Sequence, residues 1–308
     1  MIQILANAGD VTLTKYWYQD GTHVDVGDVT IGIVDGNGTE VVASGTATTN
    51  NTTSYTYSLA DLGNPQQLTV TWTDVDTTDT RVDRVEVLGG WLFTEAQARA
   101  FASKADATSA LKPLDSPTEY PDSVIAEERA RITDDLERWT GKGWVPRYCR
   151  IEMKGNGGSV LQLGDGIART SDGYALNRPG RYNDIAVVLS VTIGGTAQTV
   201  GNYEINPVSG QLINKNSVFT VGTLSDPYNV VVEYVYGVPY TIDGVDRIAM
   251  KLLIDRLVPS AFPDRALSVD TDYGTTRFVQ PGGPMKNVSR VPEVNEWIRA
   301  HNNKILVG

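Results

Sequence analysis

The residues best suited to chemistry in this sequence are carboxylates in adjacent pairs, Glu127 with Glu128 and Asp134 with Asp135. A glycosidase needs two carboxyl groups flanking one bond, one to protonate the leaving oxygen and one to act as base or nucleophile. Neighbours on a helix point about 100° apart, so neither pair converges, and the spacing favours a solvated helix face. A hydrolase built on Glu128 and Asp134 is the competing reading. Asp35, Asn37 and Thr39 start like a calcium loop, but Glu40 and Thr46 stand where that loop needs glycine and glutamate, which leaves a hairpin turn. Cys149 sits in an apolar-polar alternation with no histidine near it and reads as a small buried hydrophobe. His23 and His301 lie near opposite ends of the sequence and offer no ligand spacing. Gly155, Gly157 and Gly158 are not followed by a helix, so they do not form a phosphate cradle. The expectation is a protein that is not an enzyme, with no catalytic residue, no metal and no cofactor.

The elements that would position these residues follow from composition and pattern. The chain has 308 residues, 41% of them hydrophobic, which is enough for two or three domains. No stretch approaches the roughly 18 to 20 apolar residues of a membrane helix, and the opening MIQILANAGDVT lacks a signal peptide's basic region and apolar core. The expectation is a soluble fold formed in cytosol, without a membrane partner. A net charge of −11 argues against a surface that grips nucleic acid, because phosphate neutralisation supplies most of that affinity. The charge is uneven: residues 1–90 carry 12 acidic and three basic residues, whereas residues 91–308 carry 25 and 23. A domain boundary near residue 90 follows.

Up to residue 90 the pattern is short alternating strands broken by Gly, Asn and Asp, at 11–18, 29–34, 41–46, 54–59, 68–73 and 81–88. This predicts an all-β sandwich of immunoglobulin-like type, with Trp17, Tyr55, Tyr57 and Trp72 pointing inward in place of a disulfide. From residue 91 the period lengthens to about 3.6. Thr94 and Gln97 have capping-box spacing after Phe93, and a second helix carries Ile125, Ile132, Leu136 and Trp139 on one face and ends at Gly141. Strands return at 147–153, 160–163, 185–193, 203–206 and 229–236, and helical spacing resumes at Val245 and again at Val294. The predicted architecture is multidomain: a sandwich over 1–90, a small α-helical bundle from 91–144 and 238–308, and an all-β insertion over 145–237. The helices on either side of the insertion must cover one another's apolar stripes.

Two stretches suggest contact surfaces. Residues 164–184 form a long aperiodic loop carrying Arg169, Arg178 and Arg181, a length typical of binding loops. Residues 259–291 contain a short alternating run between prolines, and a lone strand or hairpin there would satisfy its backbone by pairing with another chain's sheet edge.

The order of elements from Trp91 onward resembles a known family. LFTEAQARAF, then YPDSVIAEERARITDDLERWTGKGWVPR, then the β-insertion closing in VVVEYVYG, then DRIAMKLLIDRLVPSAFPDRALSVDTDYGTTRF is similar to the head-to-tail adaptor (connector) proteins of long-tailed bacteriophages. The resemblance covers about two thirds of the chain and rests on a string of weak motifs in order. It implies a homo-oligomeric ring of about a dozen copies in the virion neck, assembled in the host cytoplasm, between the portal protein and the next neck or tail protein. DNA would pass through its channel without specific binding. Carried over by position, residues 265–278 would be the portal-facing arm, with Arg265, Asp270, Tyr273, Arg277 and Phe278 as interface candidates beside Arg169, Arg178 and Arg181. The sandwich resembles the immunoglobulin-like modules that phages append to structural proteins. The alternative function is a carbohydrate-binding or adhesion protein that uses the sandwich through Tyr16 and Tyr18.

Overall fold

A computed structural model describes residues 2–19, 22–51, 54–105, 114, 116–163, 167–168, 184–206, 209–237, 244–258, 268–271, 274–277, 289 and 291–301. The fold is β-rich and multidomain, with four α-helices among the described residues. The chain divides into two compact units, Met1–Gly90 with Val145–Pro239, and Trp91–Trp144 with Tyr240–Gly308. Among the described residues no helix is long and apolar enough to cross a membrane.

In residues 1–90 a five-stranded sheet runs in the order Ile2–Leu5, Thr80–Leu88, Gln66–Asp74, Val29–Asp35, Glu40–Thr46; its first pair is parallel and the rest antiparallel. A three-stranded sheet, Val11–Tyr16, Ser54–Leu59, Thr48–Asn51, shares one core with it. Period-two alternation sends Ile31, Ile33, Val70 and Trp72 inward from the larger sheet and Leu13, Tyr55 and Leu59 from the smaller. Trp17, Tyr55 and Trp72 are fully buried and Tyr57 partly so, which places the expected aromatics in this core. The Asp35 turn is a hairpin turn: its Oδ1 accepts from the amides of Asn37 and Thr39 at 2.8 and 2.9 Å.

Residues 145–237 form a second β region with its own core of Ile151, Leu163, Leu212, Phe219, Val232 and Tyr234 among others. The central strands Arg147–Met153 and Val230–Tyr236 are antiparallel neighbours, with Arg147 opposite Tyr236. The region therefore begins and ends side by side. Gly237 makes this closure possible: its φ is +98°, and a Cβ there would lie 2.1 Å from the Val145 carbonyl oxygen. Against residues 1–90 this region sets Arg147, fully buried, 3.7 Å from the buried Glu86, and packs Tyr148 beneath Gly36. Burial and the neighbouring Glu233 carboxylate push the Tyr148 phenol far above its ordinary pKa, which keeps it a neutral hydrogen-bond donor to Glu233.

The helical unit contains α1 (Glu95–Ala105), α2 (Asp122–Thr140), α3 (Val245–Leu257) and α4 (Pro292–His301). α1 opens with the expected reciprocal cap, the Thr94 amide donating to Gln97 Oε1 at 2.8 Å and the Gln97 amide to Thr94 Oγ1 at 3.2 Å. α2 ends at Gly141 with φ +73°. α2 packs on α1, α3 and α4, and α3 also touches α1 and α4. Where α2 and α3 pack, α2 buries Ile125, Ile132 and Leu136, and α3 buries Ile248, Ala249, Leu252 and Leu253.

Substituting Gly237→Ala is expected to destabilise the chain by roughly 2–4 kcal/mol, since it adds both a left-handed backbone penalty and a backbone clash. Gly194→Ala, where φ is +55° and the Cβ meets open space, should cost about 1 kcal/mol. Urea unfolding of the two variants checks the difference; equal midpoints would contradict the proposed role of the Val145 contact.

Candidate functional site

The charged face of α2 is where the sequence placed its chemical candidates. Glu128 lies three residues after Ile125 and four before Ile132, so it falls on the apolar stripe and is buried. A carboxylate there needs a cation, and Arg256 of α3 supplies one: Nη1 donates to Glu128 Oε1 at 2.9 Å and Nη2 to Asp135 Oδ2 at 2.6 Å. Arg131 donates to Glu127 at 2.5 Å and to Glu128 at 3.2 Å, and Arg138 donates to Asp135. Burial works to lower the Arg256 pKa, but its bonds to Glu128 and Asp135 outweigh that and raise it. Glu128 and Asp135 thus act together as a clamp between α2 and α3, whereas Glu127 is bonded within α2 by Arg131.

Arg129 makes a second buried connection. Its Nη1 donates to the Phe93 carbonyl at 3.0 Å and pairs with Glu95 at 2.8 Å, while its guanidinium lies 3.9 Å from the centre of the Trp91 ring. Burial lowers its pKa, and Glu95 partly offsets this. The residue ties the start of α1 to the middle of α2. Arg129 and Glu128 were missed as structural residues in the sequence, although both fall at stripe positions relative to Ile125 and Ile132.

α4 docks through polar contacts as well as Val294 and Ile298. Asn295 donates from Nδ2 to the Ser289 carbonyl at 2.7 Å, and Ser289 Oγ donates to Asp255 of α3 at 2.9 Å. Lys251 bonds Glu293, with Arg247 3.5 Å away, and the His301 ring stacks on Trp297. The Lys251 hydrogen bond, opposed by slight desolvation and aided by the charges of Lys251 and Arg247, holds the Glu293 carboxyl below its ordinary pKa.

Of the interface candidates, Arg169, Arg178, Arg181, Arg265, Tyr273 and Phe278 lie outside the described residues. Asp270 and Arg277 lie on a two-stranded hairpin, Ser268–Thr271 with Gly274–Arg277, where Asp270 is opposite Thr275 and Arg277 opposite Ser268. They are not cross-strand partners. Among the described residues these two strands pair only with each other. Cys149 is buried, and among the described residues no group of three His, Cys, Asp or Glu side chains is placed to hold a metal. Gly155 packs against the Thr220 backbone, where a Cβ would lie 1.8 Å from the Thr220 carbonyl oxygen, so its glycine serves close approach. No protein-family model matches the chain, and no curated protein matches it in sequence.

Arg256→Leu should destabilise the helical unit by about 1–3 kcal/mol, because it leaves Glu128 buried with only Arg131 beside it. Combined with Glu128→Leu the loss should be less than additive, as a double-mutant cycle in urea would show. Acidity gives a second check. Because the Glu293 pKa is lowered on folding, its contribution is complete above the unfolded carboxylate pKa and is lost as pH falls through the folded one. Tryptophan fluorescence, reporting Trp297 and Trp144, should shift as α4 loosens below about pH 4, and Glu293→Gln should flatten that shift.

Proposed function

We propose that this chain is a head-to-tail adaptor, a structural subunit that forms a ring between portal and tail in the neck of a long-tailed bacteriophage. In this reading α1–α4 are a helical bundle that makes the ring body, and residues 1–90 are an appended immunoglobulin-like sandwich. One observation carries the reading: helices from before and after a β-rich region complete each other's apolar faces, in the element order that underlies the family resemblance. The sandwich assignment draws support from two sheets sharing one core.

Charge supports a channel role for the ring. A passage for DNA works best when its wall does not hold phosphate. Arg131, Arg138 and Arg256 on the α2–α3 face are already held by Glu127, Glu128 and Asp135, which weakens any pull on a passing duplex. The hairpin Ser268–Thr271 with Gly274–Arg277 has open outer edges among the described residues, which suits an arm that adds to a neighbouring sheet. Many such contacts around a ring act together, so each can be weak.

The purified chain, alone and mixed with portal rings, is the test. Negative-stain micrographs and native mass measurement should show a closed ring of about a dozen copies at least in the mixture. A chain that stays monomeric under both conditions, and is absent from the necks of purified virions, would overturn the proposal.

A further inference from the structure

Three aromatic rings stand together on the outside of the sandwich and do no packing work in its core. Tyr16, Trp17 and Tyr18 alternate outward, inward, outward: Trp17 is buried, whereas Tyr16 and Tyr18 are each 50% exposed. The short hairpin Tyr18–Gln19 with Thr22–His23 sets the exposed His23 directly opposite Tyr18. The Tyr18 and His23 rings are 4.1 Å apart, and Tyr16 meets His23 edge-on at 5.5 Å. The three rings are therefore in contact along one ridge, through His23.

Its surroundings define the ligand. Cross-strand pairing of Thr12 with Ser58, Thr14 with Thr56 and Thr56 with Thr48 places five hydroxyl side chains on the same outer face as Tyr16. Thr12, Thr14, Thr48 and Ser58 are exposed and carry no charge. The three basic residues of 1–90 are Lys15, Arg81 and Arg84, and Lys15 turns to the opposite face to pair with Asp83 at 2.7 Å. Arg81 pairs with Asp79. Its guanidinium lies 5.6 Å from the centre of the Trp17 ring. With 12 acidic residues against three basic ones, the domain as a whole disfavours phosphate and sulfate. Uncharged hydroxyl groups border the rings, a mix of aromatic and hydroxyl surface that matches the C–H faces and hydroxyl groups of a neutral sugar.

We infer that the Tyr16–His23–Tyr18 ridge, with the hydroxyl face beside it, is a binding platform for neutral hexose oligosaccharides. The C–H face of a pyranose stacks on an exposed aromatic ring, and its hydroxyl groups exchange hydrogen bonds with Thr and Ser, which both donate and accept. His23 completes the platform as a third ring and as a ring-nitrogen partner. This site is independent of the neck assignment, since its test reads sugar binding and not ring assembly.

The whole chain is titrated with maltohexaose, cellohexaose, laminarihexaose and chitohexaose, with heparin as the polyanionic comparison, by saturation-transfer NMR. At least one neutral oligosaccharide should bind with Kd of about 1 mM or tighter. Tyr16→Ala and Tyr18→Ala should each weaken it about tenfold with an unchanged unfolding midpoint, whereas Tyr18→Phe should stay within about threefold. Should an alanine variant fail to fold, the ring protons of His23 in the unsubstituted chain must shift on sugar addition. Absence of transfer to all four neutral sugars, binding of heparin alone, equal affinity in the folded alanine variants, or unmoved His23 protons at saturation would each overturn the assignment.

Discussion

Two charges on the buried side of one helix constrain the helical unit more than any apolar contact. Glu128 and Arg129 occupy stripe positions of α2, and neither can be left in a low-dielectric interior without a counter-ion. Glu95 and the Phe93 carbonyl answer Arg129 from the preceding segment, while Arg256 answers Glu128 from a segment more than a hundred residues later. Apolar stripes tolerate sliding, because one Leu serves nearly as well as another. A guanidinium bonded to two carboxylates does not, so Arg256 sets the register of α3 on α2.

That register requires the chain to travel through an entire β region and return. The topology of the region makes the return geometrically simple: its first and last long strands are antiparallel neighbours, and Gly237 lets the outgoing backbone pass against Val145. Within the same unit, Arg147 and Glu86 meet out of water, and the Pro146 ring fills the space beside Gly89. Residues 1–90 and 145–237, though separated in sequence, are therefore joined by a buried seam.

Much of the secondary structure was legible in the sequence because it follows from periodicity. Strands such as Ser54–Leu59, Ile185–Ile193 and Tyr203–Asn206 carry their own alternation, and the Thr94–Gln97 cap and Gly141 mark helix ends by local chemistry. Elements defined by a distant partner were not legible. Ile2–Leu5 is a strand because it runs alongside Val85–Leu88, and Gln211–Asn214 because it lies between two others. Tyr18–Gln19 and Thr22–His23 were too short to show a period, and their hairpin forms the aromatic ridge. The clamp on α2 is half legible: the charges stand out as adjacent pairs along the sequence, but Glu128 takes its role from its place on the buried stripe and from Arg256, 128 residues later.

The parallel pairing of Ile2–Leu5 with the end of Thr80–Leu88 bears on how residues 1–90 respond to pulling. Ile2 faces Val85 and Leu5 faces Leu88, so a tension drawn between the start of the first strand and the exit of the last runs along both strands in opposite directions. All the bonds of that ladder are then loaded at once in shear, whereas a hairpin pulled at its open end gives way one rung at a time. A domain threaded in this way resists stretching between its two ends far better than its modest length of pairing would suggest.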